Sequence, residues 1–167
     1  MGIEIERKFR VVGEGWRAQA VRSVRIAQGY INDMAALREG RQNASVRVRI
    51  AGDQAFLNLK SRELGTTRQE FDYPVPVADA EALLALCVGG RIDKVRHYVG
   101  HAGHTWEVDE FAGDNAGLVV AELELAAADE TFEHPAWLGR EVTDETRWYN
   151  LALAERPYSR WSAQEKT

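Results

Sequence analysis

Charged residues of like sign recur two positions apart in this chain, within segments that alternate polar and apolar residues. Alternation with a period of two places neighbouring side chains on opposite faces of a β-strand, so positions i and i+2 share a face. A chain with this pattern is predicted to form a sheet with one densely charged face. The pairs are Glu4 and Glu6, Arg47 and Arg49, Glu70 and Asp72, Lys94 and Arg96, Glu107 and Asp109, and Glu122 and Glu124.

The same alternation predicts eight strands, and the turn signals at Gly52-Asp53 and Ala102-Gly103 predict antiparallel hairpins. Eight mostly antiparallel strands favour a closed barrel, because closure removes exposed sheet edges, although a two-sheet sandwich would satisfy the same pattern. The predicted strands are 2–12, 24–32, 44–51, 54–61, 67–75, 91–101, 104–111 and 118–125.

Helical periodicity is confined to short segments. Helices are predicted at 77–88 and at 143–155, and residues 13–22 are compatible with a third. The single cysteine, Cys87, excludes an internal disulfide, and its apolar helical surroundings favour a packed thiol over a nucleophile. The fold class expected from the residues is therefore all-β dominated (α+β), with a few flanking helices.

Length and composition limit what kind of protein this is. The 167 residues fit a single domain spanning 1–167, and the 45% hydrophobic and 28% charged content is typical of a globular chain. The absence of a long apolar run predicts a cytoplasmic protein with no membrane partner. A net charge of −5 argues against nucleic-acid binding, which relies on excess Lys and Arg. A homodimer is left open.

The charged faces have two interpretations. In one, the strands are amphipathic and the charges face water. In the other, they face inward, where cations hold phosphate oxygens and carboxylates hold hard divalent ions that bridge the same oxygens. The spacing alone does not choose between them. A barrel with an apolar cavity, like a lipocalin, fits less well because its inward positions should be apolar.

An ordered set of strand motifs nevertheless resembles the CYTH, or triphosphate tunnel metalloenzyme, superfamily over nearly the whole chain. Its amino-terminal signature ExExK matches EIERK at 4–8, and the motifs that follow are in the family's order. These are QGY at 28–30, VRVR at 46–49, LNLKS around Lys60, RQEFDY around Glu70, DKVRHY at 93–98, WEVDEF at 106–111 and AELEL at 121–125.

The resemblance implies an eight-stranded antiparallel β-barrel tunnel with a C-terminal helix at one tunnel end. The chain is similar to the short bacterial inorganic tripolyphosphatases, which implies metal-dependent hydrolysis of tripolyphosphate to diphosphate and phosphate with Mg²⁺ or Mn²⁺. Other members of the superfamily leave two alternatives open, a nucleoside or thiamine triphosphatase and a class IV-type adenylate cyclase. A further alternative, from a different class, is a noncatalytic polyphosphate-binding module that uses the same cations.

The resemblance also implies roles for the charged residues. Three carboxylates, Glu70, Asp72 and Glu107, would serve a second metal or orient the attacking water, and Asp72 stands where relatives often have Glu. The implied metal ligands are Glu4, Glu6, Asp109, Glu122 and Glu124. The implied phosphate-binding residues are Lys8, Arg47, Arg49, Lys60, Lys94 and Arg96.

The catalytic pair implied by the relatives is Lys8 with Tyr30. We expect neighbouring cations to lower the pKa of Lys8 and make it a candidate base. The histidines 97, 101 and 104 straddle a predicted hairpin and alternate poorly, so they are interpreted as surface residues rather than a metal cluster. Arg147 is compatible with either a tunnel mouth or an exposed helix.

Overall fold

The computed structural model describes residues 2–3, 5–61 and 69–167. Every strand pairing among them is antiparallel, and ten strand segments form one sheet in the order β1-β6-β5-β4-β3-β7-β8-β9-β2-β10. The predicted fold class is confirmed, with ten segments in place of eight strands. The strands are β1 Gly2–Ile3, β2 Ile5–Val11, β3 Ala20–Tyr30, β4 Ala44–Ala51, β5 Gln54–Ser61, β6 Gln69–Val75, β7 Val88–His101, β8 His104–Phe111, β9 Val119–Leu125 and β10 Leu138–Glu141.

The amino-terminal segment supplies the first strand of this order, β1, and the last but one, β2. β1 pairs with β6 at Gly2 and Ile3, and β2 pairs with β9 from Ile5 to Arg10. Because β1 and β2 follow each other in the chain, the sheet must curve until its two ends approach. The described ladder with β6 is only two residues long, so the sheet is strongly curved but not closed along its length.

The tenth strand was not predicted from the sequence. β10 pairs with β2 at Val11 and Phe9, with an irregular register between the two pairs. Its four residues are too few to display an alternation, which explains why the pattern did not reveal it.

The helices are shorter than predicted. They are α1 Met34–Arg38, α2 Val77–Leu84 and α3 Asn150–Glu155. α1 was not predicted, α2 ends early because β7 begins at Val88, and a 3₁₀ turn at Thr146–Trp148 precedes α3. The expected helix at 13–22 is a 3₁₀ turn at Gly15–Gln19 that leads into β3. Within the described part of the chain, no helix has the length and apolar character needed to cross a bilayer.

The outer face of the sheet is apolar and covered. Over β4 and β5, α2 packs Ala80 against Val48 and Ala55. On the opposite side, Trp16 and Trp137 belong to a second apolar cluster, which covers β2, β7, β8 and β9. Since successive strand residues point to opposite faces, this covering leaves the charged positions on the inner face.

One end of the inner face is apolar too, and α3 closes it. Ile92, Phe111 and Val120 form a buried cluster there with Leu153 and other residues of the C-terminal segment. The predicted placement of a C-terminal helix at one end of the tunnel therefore agrees with the packing. The residues of α3 that pack there are the buried Leu153 and Ala154, with the partly buried Leu151 beside them.

Candidate functional site

The strand register places the predicted charged residues on one face. Directly opposed residues of an antiparallel ladder point to the same side of the sheet. The acidic strands and the basic strands are linked through β7 and β3, where Arg96 opposes Val24, and Gln28 opposes Arg49. The opposed pairs of charged or amide residues are Lys8 and Glu122, Glu6 and Glu124, Glu107 and Glu122, Arg96 and Asp109, Arg47 and Asn58, Lys60 and Glu70, and Asn58 and Asp72.

This face is concave, and its charges are largely withdrawn from solvent. Arg96 of β7 donates to Glu122 of β9 at 2.6 Å across the intervening strand β8, a contact that needs an inward curve. Lys8, Lys94, Arg96, Asp109 and Glu122 are all 8% exposed or less. The solvated-face interpretation is therefore excluded for these five residues. Asp72 and Glu124 lie on the same face but are exposed.

Arg96 is the centre of the buried network. Its Nε and Nη2 donate to the two oxygens of Asp109, both at 2.7 Å, and its Nη1 donates to Glu107. Burial alone would raise the pKa of Asp109, but the charges of Arg96 and Lys94 hold it below its ordinary value. Burial raises the pKa of Glu107 despite its contact with Arg96. Asp109 is thus an ionised partner of two cations.

Lys8 is a charged group in this structure, contrary to the expectation that its pKa would be lowered. Its ammonium donates to Glu122, lies 3.8 Å from Glu6 and lies 4.5 Å from the ring centre of Tyr149. Burial would lower the pKa of Lys8, but the charges of Glu122 and Glu6 raise it above its ordinary value. We expected cations to surround Lys8, whereas the fold places the carboxylates of Glu122 and Glu6 beside it.

Lys94 is the lysine whose pKa is lowered. Its ammonium donates to Asp109 and lies 3.4 Å from the amide oxygen of Asn150 at the start of α3. Burial and the charge of Arg96 lower the pKa of Lys94 to about 8, although Asp109 and Glu122 act in the opposite direction. Lys8 and Lys94 are both fully buried, and their different pKa shifts reflect which charges surround them.

The basic strands β4 and β5 carry a second, looser network with β6. Lys60 lies 3.3 Å from Glu70, and Arg47 lies 3.8 Å from the same carboxylate. Asn58 accepts a hydrogen bond from Nε of Arg47 at 3.1 Å and donates one to Asp72. Glu70 therefore lies beside two phosphate-binding candidates, Arg47 and Lys60. Asp72 contacts Asn58, which itself contacts Arg47.

Arg49 differs from the other cations of the inner face. None of the ion pairs formed by the described residues involves Arg49, and its buried Nε has no hydrogen-bond partner. Burial lowers the pKa of Arg49, and the charges of Arg47 and Arg96 add to that effect. Burying an unpaired guanidinium is costly, so this position is suited to an anion that the protein itself does not supply.

Tyr30 lies in the apolar cluster at the closed end and is 5% exposed. Its hydroxyl accepts a 3.4 Å hydrogen bond from Gln28. The aromatic ring over Lys8 is that of Tyr149, so the pairing of Lys8 with Tyr30 stays a prediction. The implied metal ligand Glu4 lies outside the described residues.

A divalent metal ion fits the carboxylates on β2 and β9. Glu6 and Glu124 oppose each other directly, and like charges so placed repel unless a cation lies between them. Oxygen donors of this kind suit Mg²⁺ and Mn²⁺. Among residues 5–61 and 69–167, no three acidic, histidine or cysteine side chains are already gathered as a metal site. The oxygens of Asp109 and Glu122 are held by lysine and arginine, so recruiting them requires those cations to move.

The three histidines, interpreted from the sequence as surface residues, are half-buried, and each lies beside a different glutamate. His97 lies 3.5 Å from Glu110, His101 lies 3.3 Å from Glu133 and His104 lies 3.0 Å from Glu130. Arg147 lies in the 3₁₀ turn before α3, where it donates to Glu145 at 2.9 Å. Its guanidinium lies over the rings of Trp148 and Trp161, so it packs on the C-terminal segment.

Four polar residues of the site received no role from the sequence. Gln28 and Asn58 are buried on the inner face, and Tyr149 and Asn150 contact the two buried lysines. Gln28 and Asn58 lie within the motifs QGY and LNLKS, so these motifs could have identified both residues as part of the site. No signal in the sequence placed Tyr149 or Asn150 beside the lysines, because that contact depends on how the C-terminal segment docks.

Comparisons with known proteins find relatives of similar sequence and fold. An inorganic triphosphatase of Acetivibrio thermocellus is 42% identical over 159 residues, covering 95% of this chain and 97% of that protein. An inorganic triphosphatase of Nitrosomonas europaea is 35% identical over 159 residues, covering 90% and 96%. A crystal structure of an inorganic triphosphatase superposes with a TM-score of 0.67 at 32% identity, covering 92% of this chain and 95% of that one. The sequence model of the CYTH domain family matches residues 2–156, and the chain belongs to that family.

Proposed function

We propose that this protein hydrolyses inorganic tripolyphosphate to diphosphate and phosphate in a metal-dependent reaction. The observation that carries the proposal is Arg49, a mostly buried guanidinium without a carboxylate partner among the described residues. It lies on a concave face with five further cations, where a linear polyanion would supply the missing negative charge. The names of the two curated relatives, both inorganic triphosphatases, support the same substrate.

The cations of the inner face would hold the phosphate oxygens. Arginine offers a planar fork for two oxygens, whereas lysine acts as a compact charge. Arg47 and Arg49 would bind from the β4 side and Arg96 from the β7 side, so the chain of phosphates would lie between them. The lysines that complete the set are Lys8, Lys60 and Lys94.

The carboxylates would hold Mg²⁺ or Mn²⁺. Among the candidates that the structure describes, Glu6 and Glu124 are the most accessible, since Glu122 is held by Lys8 and Arg96. Glu4 and Asp109 complete the proposed ligands, and Glu70, Asp72 and Glu107 are proposed to serve a second ion or to orient water. The bound metal would neutralise phosphate charge that would otherwise resist attack by water.

Hydrolysis follows from positioning and charge. Water attacks the terminal phosphorus in line with the departing diphosphate, so one P–O bond forms as the anhydride P–O bond breaks, and the proton of the water passes to a phosphate oxygen of the products. The leaving diphosphate gains negative charge, which Arg96 and Lys94 would stabilise. Lys8, being protonated, donates to phosphate oxygens in this scheme rather than accepting a proton.

A substrate panel tests the proposal. Purified protein would be assayed with tripolyphosphate, ATP and thiamine triphosphate in the presence of Mg²⁺ or Mn²⁺, with products identified by ³¹P NMR. Diphosphate and phosphate from tripolyphosphate are expected, with loss of activity in Glu124→Gln and on chelation of the metal. The matched control is Glu133→Gln, on the outer loop beside His101.

The same assay decides between the alternatives. Cyclic AMP and diphosphate from ATP would indicate a cyclase, and ADP and phosphate a nucleoside triphosphatase. Binding of tripolyphosphate without phosphate release in either metal would indicate a noncatalytic module. Any of these results, together with tripolyphosphate that stays intact in its own assay, would contradict the proposed reaction.

A further inference from the structure

Asn58 is a fully buried amide among the charges of the inner face. It is 2% exposed and lies between Arg47 and Asp72, its directly opposed residues on the two neighbouring strands. Its amide oxygen accepts from Nε of Arg47 at 3.1 Å, and its amide nitrogen donates to Asp72. Both ends of the amide are therefore used, which is what burial of such a group requires.

The contact with Nε limits how the guanidinium of Arg47 can turn. A guanidinium is planar and its five N–H donors are fixed relative to one another, so holding Nε also fixes the plane of the two terminal nitrogens. Among the described residues, the nearest ion-pair partner of those terminal nitrogens is Glu70, at 3.8 Å. Arg47 thus presents a preoriented fork for a pair of oxygens.

Arg49 shows what an inner-face arginine is like without this support. The residue opposite Arg49 on β5 is Phe56, which has no polar side-chain atom, and the Nε of Arg49 is unpartnered. The two arginines lie two positions apart on the same strand and the same face. Opposite these two arginines, β5 places an amide at Arg47 and a phenyl ring at Arg49.

We propose that Asn58 is a positioning residue, which orients Arg47 for a phosphate group and anchors it through Asp72 on β6. The proposal rests on the proposed function, because it assumes that Arg47 binds substrate phosphate. Fixing a charged side chain before binding removes part of the entropy cost of ordering it later. Asn58 acts through Arg47 and has no contact with substrate of its own.

A double-mutant cycle tests this coupling. Tripolyphosphate kinetics would be measured for Asn58→Leu, Arg47→Gln and the double variant, with Asn58→Ala as a second variant should Asn58→Leu fail to fold. We expect Asn58→Leu to raise KM about tenfold, the size of one hydrogen bond to a charged group, with a smaller change in kcat. In the Arg47→Gln background, the same change should raise KM by less than about twofold.

Two controls separate positioning from general damage. Phe56→Leu changes the same strand and face beside Arg49 and should leave KM unchanged. The Nε–H signal of Arg47 in ¹⁵N NMR, assigned with Arg47→Gln, should exchange slowly with solvent in the parent protein and quickly in Asn58→Leu. Circular dichroism would confirm that each variant is folded.

The outcomes are distinguishable. Multiplicative effects of the two substitutions on KM, or an Nε–H signal of Arg47 unchanged in Asn58→Leu, would overturn the positioning role. A parent protein that leaves tripolyphosphate intact would overturn the proposed function instead. The NMR comparison would then still decide whether Asn58 holds Arg47, because it requires no substrate.

Discussion

Lys8 and Arg96 hold the two oxygens of Glu122 separately. The ammonium of Lys8 donates to Oε1, and Nη2 of Arg96 donates to Oε2 at 2.6 Å. Without substrate, the best-buried acid of β9 is therefore neutralised by the protein's own cations. A phosphate chain that draws Lys8 and Arg96 away would free Glu122 for a metal ion, so metal and substrate should each favour binding of the other.

Removing the charge of Lys8 should strengthen metal binding to the free protein. In Lys8→Met, Oε1 of Glu122 loses its partner and the local positive charge falls by one, so Mn²⁺ should bind about tenfold more tightly. Isothermal titration calorimetry without phosphate measures this affinity. Turnover of tripolyphosphate should fall about a hundredfold, because the proposed donor to the reacting phosphates is lost.

Lys166→Met is the matched control for that experiment. Lys166 lies over the ring of Tyr158 in the C-terminal segment, and its substitution should alter neither metal affinity nor turnover. An unchanged or weaker Mn²⁺ affinity in Lys8→Met would contradict the proposed competition for Glu122.

Arg49→Gln should weaken substrate binding without a loss of stability. The guanidinium has no carboxylate partner among the described residues, so its removal relieves an uncompensated burial cost in the free protein. We expect KM for tripolyphosphate to rise about tenfold or more, and the free energy of unfolding in urea to stay equal or increase.

The exposed Arg25 on the outer side of β3 provides the comparison for Arg49, and Arg25→Gln should leave KM unchanged. A strongly destabilised Arg49→Gln protein would show that Arg49 serves the fold rather than an anion.

The stability of the C-terminal segment should depend on Glu145 at acid pH. Hydrogen bonds from Arg140, with others from Trp148 and Arg147, lower the pKa of Glu145 from 4.5 to about 2. A carboxylate with a lowered folded-state pKa stabilises the fold above its unfolded pKa, and this contribution is lost as the pH falls from about 4.5 towards 2. Because the side chain of Glu145 is partly exposed and its charge is screened by solvent, we expect the contribution to be about 1 kcal/mol.

Urea unfolding of the parent protein and of Glu145→Gln at several pH values checks this expectation. The difference between their free energies of unfolding should be present at pH 6 and should shrink below about pH 4. A difference that stays constant over this range would exclude the ionisation of Glu145 as its source.

Gly90→Ala should displace α3 from the apolar end of the inner face. A Cβ atom at Gly90 would lie 2.8 Å from the backbone oxygen of Ala154, and backbone cannot yield as a flexible side chain can. The free energy of unfolding should fall by about 1–3 kcal/mol. Gly100→Ala in the same strand meets nothing within 4 Å and should change stability by less than about 0.5 kcal/mol.

The strands were the most predictable part of the fold. The bounds of β4, β5 and β8 agree with the alternation in the sequence, because a period of two is visible in any segment of eight residues. β10 and α1 are too short for their periodicity to show. α3 begins later than expected because the turn at Thr146–Trp148 comes first, and its docking against the inner cluster sets its position.

The sequence by itself determined which side chains share a face, since that follows from the geometry of any strand and needs no knowledge of its neighbours. It therefore indicated the charged lining and, through its motifs, the family. Only the tertiary structure decided that this face is concave and which opposite charges meet there. The pKa of Lys8 shows the difference, because it depends on the distances to Glu122 and Glu6, which are set by how the sheet curves and how its strands align.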